Sequence, residues 1–219
     1  MLRIGNWVVA LVVWMGFVSL AQAADKTDPS ARKAGPDVVF VPTPDDIVAK
    51  MLQVAGVKKD DVLYDPGCGD GRICVTAAKK YGCRGVGIDI NPVRVKEAEA
   101  FARRNKVENL VKIVEKNIYD VDFSEASVVA LYLLPSMNVK LIPQLQKLKP
   151  GSRIVAHDYA FEGRVKPDKT LTVTSKEDAV DHFIFFWTTP LKVEPAEKAE
   201  QKEKKSATEP DDKDNAEEK

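Results

Sequence analysis

A glycine-rich loop between an apolar strand and a helix is the feature that most constrains the fold. The short apolar run at residues 61–64 leads into the loop 65–71 (DPGCGDG), and a helical pattern follows over residues 72–81. Glycines occupy three alternate positions of this loop, Gly67, Gly69 and Gly71. Residues without a side chain let the backbone approach a ligand closely, and the helix N-terminus beyond them offers unpaired amides. The sequence therefore predicts a strand that ends at a ligand-binding loop.

Short apolar runs alternate with helical patterns along the middle of the chain, which is typical of a parallel sheet with crossover helices. We predict parallel strands at residues 61–64, 85–90, 111–115, 128–133 and 153–158. A β pair at residues 170–174 and 182–188 completes a mostly parallel seven-stranded sheet with a C-terminal antiparallel strand. Thr43 is expected to cap the helix before the first strand, and Asn91 to cap the third helix. The predicted fold class is a single α/β domain.

Both ends of the chain differ in composition from the middle. Arg3 precedes an apolar run at residues 7–20, and Ala21-Gln22-Ala23 gives the small-x-small pattern typical of signal peptidase cleavage. Because a membrane-spanning helix needs roughly 20 apolar residues, we expect a cleaved export signal and a periplasmic or extracellular protein, with an uncleaved membrane anchor as the alternative. Residues 191–219 are rich in lysine and acids, which predicts a disordered tail.

These boundaries divide the chain into four parts. They are a signal peptide over 1–23, a linker over 24–40, a folded domain over 41–190 and a charged tail over 191–219. The 33 basic and 33 acidic residues cancel, so bulk charge gives no sign of a polyanion-binding protein. The composition, 44% hydrophobic and 30% charged, is that of a soluble globular protein.

The cysteines do not indicate a metal site. Cys68, Cys74 and Cys83 lie close together without the spacing of zinc ligands, and the chain has only two histidines. We expect Cys74 and Cys83 to be small buried residues. The export signal leaves a disulfide between them open.

The chemistry of the loop points away from a phosphate group and toward an amine. A dinucleotide fingerprint needs glycine where Arg72 stands, and a phosphate-binding P-loop needs a Gly-Lys pair that is absent. Asp65 would repel a pyrophosphate but can accept hydrogen bonds from an ammonium group. Asp89 ends the second strand, where an acid can accept both hydroxyls of a ribose. An amine together with a ribose suggests an aminoacyl nucleoside.

At this point the chain resembles a known family. The stretches DPGCGDGRI, GIDINP and LKPGSRIVAHD are similar to those of class I S-adenosylmethionine-dependent methyltransferases, over residues 41–190. The shorter motifs VPTP, GDGRI, INP and YLLP resemble the small group that includes the mitochondrial lysine methyltransferases of the ATP synthase c-subunit and the adenine nucleotide translocator. The resemblance implies a Rossmann-like methyltransferase domain with S-adenosylmethionine as its cofactor.

The resemblance also implies which residues bind this cofactor. Asp65 and the three loop glycines would face the methionine part, and Asp89 the ribose. Ile90 would cover one face of the adenine, with Asn117 and Ile118 at its edge and other face. The family usually has an acid where Asn117 stands, but a side-chain amide oxygen can still accept from the adenine amino group.

The resemblance makes a protein lysine the leading methyl acceptor. Tyr132 and Asp158 end adjacent strands and are the expected catalytic residues that orient the amine, while His182 is expected to be structural. DNA and amide methylases carry Asn or Asp followed by Pro, Pro and an aromatic residue at the stretch where residues 133–135 of this chain are Leu-Leu-Pro. The resemblance therefore disfavours methylation of a base or an amide. We therefore expect a protein substrate, with membrane proteins among the candidates. We do not expect a nucleic-acid substrate. In-line transfer requires neither a metal nor a covalent intermediate.

Two other functions stay open from the sequence. The export signal favours a non-catalytic, exported S-adenosylmethionine-binding protein, because this donor is made in the cytoplasm. A nucleotide-linked oxidoreductase is disfavoured by Arg72 at the last position of the fingerprint.

Overall fold

The computed structural model describes residues 40–195. The predicted signal peptide, most of the linker and most of the tail lie outside these residues. Within them the chain forms seven strands and four α-helices. The strands are β1 Val62–Pro66, β2 Arg84–Asp89, β3 Val111–Glu115, β4 Val128–Leu131, β5 Arg153–His157, β6 Lys169–Thr174 and β7 Asp181–Thr188. The helices are α1 Asp45–Val54, α2 Arg72–Tyr81, α3 Pro92–Arg104 and α4 Pro135–Leu145, with a 3-10 turn at Ile118–Asp120.

One sheet with the strand order β3-β2-β1-β4-β5-β7-β6 organises the domain. β1 to β5 pair in parallel, and β7 pairs in antiparallel fashion with both β5 and β6. All four residues of the central strand β4 are buried, as expected for a strand covered on both faces. The predicted fold class, with its single antiparallel strand, is confirmed.

The helices cover the sheet on two sides and create two apolar cores. Helices α1 and α2 pack together on one face, where Met51, Leu63 and Val155 are completely buried. Helix α4 covers the other face, where Leu141 packs in one core with Phe123 and Ile154. This arrangement leaves the carboxyl ends of the parallel strands free to build a site.

The helix ends follow the sequence signals with one exception. The Asn91 side chain accepts from the Val93 amide and caps α3, as predicted. The expectation that Thr43 caps α1 is wrong. Pro44 holds the N-cap position without a side-chain cap, and the Thr43 hydroxyl lies 3.1 Å from Nδ1 of His157 instead. The Thr43 hydroxyl thus bonds to the buried His157 on β5 and does not cap the helix.

The domain extends beyond the predicted boundary at residue 190. Leu191 is buried in the core on the α4 side, and Val193 forms a bridge with Val165. The Glu194 amide donates to the Arg164 carbonyl at 2.8 Å. The first residues of the predicted tail therefore belong to the domain, because their apolar side chains alternate with polar ones that face outward.

The three cysteines are free thiols, and all are buried, as expected of small core residues. The open possibility of a Cys74–Cys83 disulfide is therefore not realised in this structure. Within residues 40–195 no helix is both long and apolar enough to cross a bilayer. The apolar run at residues 7–20 lies outside that range.

Candidate active site

A cavity of about 610 Å³ opens at the carboxyl ends of β1, β2 and β4. This volume falls within the usual range for small-molecule sites. Most of the predicted site residues line the cavity: Asp65, Gly67, Asp89, Ile90, Asn117, Ile118 and Tyr132. The strand-end location agrees with the rule that open parallel sheets bind ligands where the strand order reverses, here between β1 and β4.

The glycine loop is held in a backbone conformation that only glycine adopts easily. Gly67 has φ +79°, and a Cβ there would lie 2.7 Å from a methyl group of Leu133. Gly69 has φ +53°, and a Cβ there would lie 2.1 Å from the Phe40 ring. Any side chain at either position would displace a wall of the cavity, so the loop requires glycine on steric as well as conformational grounds.

Asp65 is the most unusual group in the cavity. Its side chain is almost fully buried, with 2% of the residue exposed, and its Oδ2 atom has no hydrogen-bond partner among the described residues. Burial raises the pKa of this carboxyl to about 8, and the nearby charges of Asp70 and Asp89 add to the effect. A buried acceptor without a partner is costly to the fold. A ligand cation in the cavity would supply the partner.

Asp89 holds the loop as well as lining the cavity. Its Oδ2 accepts from the Gly69 amide at 2.9 Å, and its Oδ1 accepts from the Asn91 amide at 2.8 Å. Each carboxylate oxygen keeps a second lone pair for a hydroxyl ligand. The predicted ribose acceptor is thus fixed by two backbone donors, one from the loop and one from the start of α3.

The far side of the cavity is set by the turn after β3. Asn117 Oδ1 accepts from the Tyr119 amide at 3.0 Å, so the oxygen expected to bind an adenine amino group is already engaged in a turn. Gln144 on α4 donates to three backbone carbonyls of this turn, including that of Ile118 at 3.0 Å. These bonds fix Ile118 against the cavity. Sequence patterns gave no hint of Gln144.

Two of the predicted cofactor-binding glycines do not line the cavity. Gly69 is covered by the Phe40 ring, and Gly71 starts α2 with φ +79°. A Cβ on Gly71 would lie 2.9 Å from the Cβ of Ala98 on α3. These two glycines allow the loop to turn and the two helices to approach, and their contact with the cofactor stays a prediction.

Tyr132 lies at the cavity, whereas the carboxylate of Asp158, the other expected catalytic residue, is bonded elsewhere, and its catalytic role stays a prediction. Asp158 is not among the described residues that line the cavity. Its Oδ1 accepts from the Phe183 amide at 2.8 Å and its Oδ2 lies 3.0 Å from His182 Nδ1. Oδ1 is thus directed to β7 and Oδ2 to the space between His182 on β7 and His157 on β5, and the backbone of Asp158 has a left-handed conformation with φ +54°.

Behind Tyr132 lies a buried pair of histidines. The Tyr132 and His157 rings are 4.1 Å apart between centroids, and His157 Nε2 lies 2.9 Å from His182 Nδ1. Burial lowers the pKa of His157 to about 4. Burial also acts to lower the pKa of His182, but hydrogen bonds and charges from Asp158 and Asp178 together outweigh it and raise that pKa. His182 thus has two acids, Asp158 and Asp178, as partners.

Several cavity residues escaped prediction from the sequence. Arg72 pairs with Asp70 at 2.7 Å and donates to the Thr43 carbonyl at 2.8 Å, which joins the glycine loop to the segment before α1. The lining residues beyond those predicted include Phe40, Val41, Pro42, Arg94, Tyr119 and Met137. The VPTP and GDGRI motifs, noted only for their resemblance, were the signal that could have placed Thr43 and Arg72 at the site.

The residues present fit S-adenosylmethionine. The unpartnered Asp65 oxygen matches its ammonium group, Asp89 matches the ribose hydroxyls, and the apolar side chains of Ile90 and Ile118 match the adenine faces. A cradle of glycine backbone in which a side chain would clash leaves room for the methionine part.

Comparisons with known proteins agree with this fit. Residues 65–169 match the ANTKMT methyltransferase domain. The chain is 47% identical over 130 residues to a protein-lysine N-methyltransferase of Saccharolobus islandicus, covering 58% of this chain and 81% of the relative. It is 30% identical over 164 residues to the human lysine N-methyltransferase of the ATP synthase c-subunit, covering 73% of this chain and 69% of the relative.

A solved structure gives the same fold with the reaction product bound. The RNA methyltransferase from Salinibacter ruber in complex with S-adenosyl-L-homocysteine is 46% identical, with a TM-score of 0.63. The match covers 68% of this chain and 94% of that chain. From this cavity, this fold and these relatives it follows that the chain belongs to the ANTKMT family of S-adenosylmethionine-dependent methyltransferases.

Proposed function

We propose that the protein methylates the ε-amine of a lysine in a protein substrate. The observation that carries this proposal is the 47% identity to a protein-lysine N-methyltransferase of which the chain covers 81%. The geometry supports it, because the cavity that Tyr132 lines also has the uncharged side chains of Pro42, Leu133 and Met137 in its wall. An uncharged, apolar pocket suits the alkyl chain of lysine.

The protein's own groups bind the cofactor and orient it. When bound, S-adenosylmethionine supplies a methyl group made electrophilic by its sulfonium. Asp65 would pair with the ammonium, and its carboxyl proton would pass to the solvent on binding, because only the ionised carboxyl matches that charge. Asp89 accepts from the ribose, and its bonds to the Gly69 and Asn91 amides keep it in place. No protein nucleophile takes part, and the chain contributes alignment and exclusion of water.

The acceptor lysine must lose a proton before it attacks the methyl group. Transfer of its ammonium from water to apolar surroundings in the cavity would lower its pKa and favour the neutral amine. Burial raises the pKa of Tyr132, with Asp158 and Tyr159 adding to the effect, so the phenol stays neutral. Its hydroxyl can accept from the amine and orient the nitrogen lone pair. Asp158 acts only at a distance, through His182 and β7.

The 46% identical structure is described as an RNA methyltransferase, so RNA is the alternative acceptor. The charges at the cavity favour a protein instead. Arg72 pairs with Asp70, and Arg94 pairs with Glu97 at 2.7 Å, so both lining arginines are already engaged by acids. RNA binding depends on basic groups that neutralise phosphates. Paired arginines at the mouth of the cavity supply little of that charge.

A labelled-donor experiment separates the possible acceptors. The purified full chain is incubated with S-adenosylmethionine carrying a radioactive methyl group and with a cell extract, and the label is then measured in protein and in RNA. We expect label in protein, sensitive to protease. Tyr132→Phe should lower the rate of transfer, and Tyr81→Phe, at the end of α2, serves as the matched control.

The same experiment contains the outcomes that contradict the proposal. Label in RNA alone would identify the protein as an RNA methyltransferase. Binding of S-adenosylhomocysteine without any labelled product would favour the non-catalytic binding protein suggested by the export signal.

We also propose that the protein is exported and that its acceptors include membrane proteins. The apolar run at residues 7–20 and the Ala21-Gln22-Ala23 pattern support export. Fractionation of the native host tests the location, and comparison of labelling in membrane and soluble extracts tests the acceptor. Protein confined to the cytoplasm, or label confined to soluble proteins, would contradict this part of the proposal.

A further inference from the structure

A cluster of three metal-binding groups lies behind the Tyr132 wall, outside the cofactor cavity. His157 Nε2 and His182 Nδ1 are 2.9 Å apart. Asp158 Oδ2 lies 3.0 Å from the His182 atom and 3.2 Å from the His157 atom. Three potential ligand atoms thus form a nearly equilateral triangle. The chain has two histidines in all, and both are in this triangle.

The size of this triangle matches one face of an octahedron. Bonds from imidazole nitrogen to a first-row divalent metal are about 2.1 Å long, which places neighbouring ligand atoms of a six-coordinate ion about 3.0 Å apart. The measured separations of 2.9, 3.0 and 3.2 Å lie around that value. Two histidines and one carboxylate on one face are a known ligand set for such ions.

The outer partners of the two imidazoles suit the same function. His157 Nδ1 lies 3.1 Å from the Thr43 hydroxyl, and His182 Nε2 lies 3.1 Å from Asp178 Oδ2. Histidines that bind metals usually donate their other ring N–H to an oxygen, which fixes the tautomer and the ring orientation. Each imidazole has such an oxygen on the side away from the triangle. The nitrogens inside the triangle are then free to present lone pairs.

The backbone at Asp158 is bent in the way that the triangle requires. Consecutive residues of a strand point to opposite faces, so the side chains of His157 and Asp158 would normally diverge. Asp158 instead has φ +54°, a left-handed conformation that aspartate adopts more readily than most residues with a side chain. Oδ1 is held by the Phe183 amide, and Oδ2 is brought to both histidines.

Charge and access both favour a cation. Apart from the neighbouring histidine, the charged groups that affect the pKa of each imidazole are the two acids Asp158 and Asp178. The His157 side chain is fully buried, whereas those of His182 and Asp158 are 10% and 24% exposed. An ion can therefore enter from the β7 side, and water can fill the remaining coordination positions there.

We propose that His157, His182 and Asp158 bind one divalent first-row transition-metal ion in a six-coordinate site completed by water. The ion joins β5 to β7, and through His157 it fixes Thr43 and the ring of Tyr132 at the cavity wall. The site is independent of the proposed lysine acceptor. It also revises the expectation of no metal, which rested on cysteine spacing and could not anticipate that two distant histidines meet.

Nuclear magnetic resonance of the imidazole nitrogens gives a direct test. The full chain is labelled with ¹⁵N-histidine, stripped of metal, and titrated with Zn²⁺ at pH 8. We expect one equivalent of Zn²⁺ to shift the Nε2 signal of His157 and the Nδ1 signal of His182. The other two nitrogens should stay protonated. Unchanged signals, or shifts that grow without saturation at one equivalent, would overturn the proposal.

Two variants with the same change in charge provide the control. Asp158→Asn removes a ligand but keeps the Oδ1 acceptor, and asparagine tolerates the left-handed conformation. Asp181→Asn removes the acid that precedes His182 in the chain. The Asp181 carboxylate accepts from the Thr174 hydroxyl and is not part of the proposed ligand set. By calorimetry with Zn²⁺, Asp158→Asn should bind at least about 10-fold more weakly than the wild type. Asp181→Asn should bind within about twofold, a change worth less than 1 kcal/mol. Equal affinities of the two variants would overturn the proposed ligand set.

Discussion

Substitution of Asp65 by asparagine should stabilise the cofactor-free protein at high pH and weaken its binding of cofactor. The folded-state pKa of this carboxyl is about 8, against an ordinary value of 3.8. Between these values the unfolded chain has released the proton while the folded protein still holds it. Stability therefore falls as the pH rises, and it stops falling above the folded-state pKa.

The magnitude follows from the pKa difference. Each pKa unit corresponds to about 1.4 kcal/mol, so the wild-type free energy of unfolding should drop by about 4 kcal/mol between pH 5 and pH 8 through Asp65 alone. Asparagine has no charge to bury, so Asp65→Asn lacks this contribution. The free-energy difference between variant and wild type should thus move in favour of the variant as the pH rises.

The binding side of the prediction has the opposite sign. Hydrogen bonds to charged groups contribute about 1.5 to 3 kcal/mol, so loss of the carboxylate should weaken S-adenosylhomocysteine binding roughly 10- to 100-fold. At pH 6.5 the wild type should release about one proton on binding, because Asp65 must ionise to pair with the ammonium. The variant should not release this proton.

Denaturant unfolding at pH 5 and pH 8, combined with calorimetry in buffers of different ionisation enthalpy, measures both effects. Parallel pH dependence of the free energy of unfolding in the two proteins would refute the idea that Asp65 is buried without a partner. Equal affinity for S-adenosylhomocysteine would refute its role in binding the amine.

Four further experiments test other parts of the account. Asp89→Ala should weaken S-adenosylhomocysteine binding by roughly 10- to 100-fold in calorimetry. Asp89→Asn should weaken it less, because it keeps one acceptor and loses only the charge. Equal binding by the wild type and both variants would show that Asp89 does not bind the cofactor. Gly69→Ala should lower the free energy of unfolding by more than about 1 kcal/mol in urea titrations, because alanine resists φ +53° and meets the Phe40 ring. Truncation after Glu194 should leave the melting temperature unchanged. Truncation after Pro190 should lower it, because burial of the Leu191 side chain contributes about 1.5 to 3 kcal/mol to stability. Identical melting temperatures of the two truncated proteins would show that the domain ends at residue 190. N-terminal sequencing of the protein from its native host should begin at Ala24, and a membrane-bound form that retains residues 1–23 would show an anchor instead.

Local patterns in the sequence were sufficient for the sheet and for the cofactor end of the site. Alternating strand and helix periods predicted all seven strands, and the glycine loop with Asp65 and Asp89 predicted the edge at which the cavity opens. These features depend on residues close together in the chain or on the general rule for strand ends. They are therefore readable without tertiary contacts.

What the sequence could not give depends on distant contacts. Thr43 has the features of a helix cap, yet its hydroxyl bonds His157, 114 residues away. Asp158 has the features of a site acid, yet a left-handed backbone directs it to β7. Gln144 and the buried Asn138, which donates to the carbonyls of Leu133 and Tyr159, hold the loops around the cavity from α4. Amide side chains that bond remote backbone carry no periodic signal.

The proposal of lysine methylation is tested by where the transferred methyl group goes. S-adenosylmethionine with a deuterated methyl group, incubated with the purified protein and a host protein extract, permits tandem mass spectrometry to locate each transferred group. We predict deuterated methyl groups on lysine ε-nitrogens, reduced roughly 10- to 100-fold when Asp65→Asn replaces the wild type at limiting donor concentration. Intact S-adenosylhomocysteine binding with no labelled lysine, or with the label found only in RNA, would contradict protein-lysine methylation.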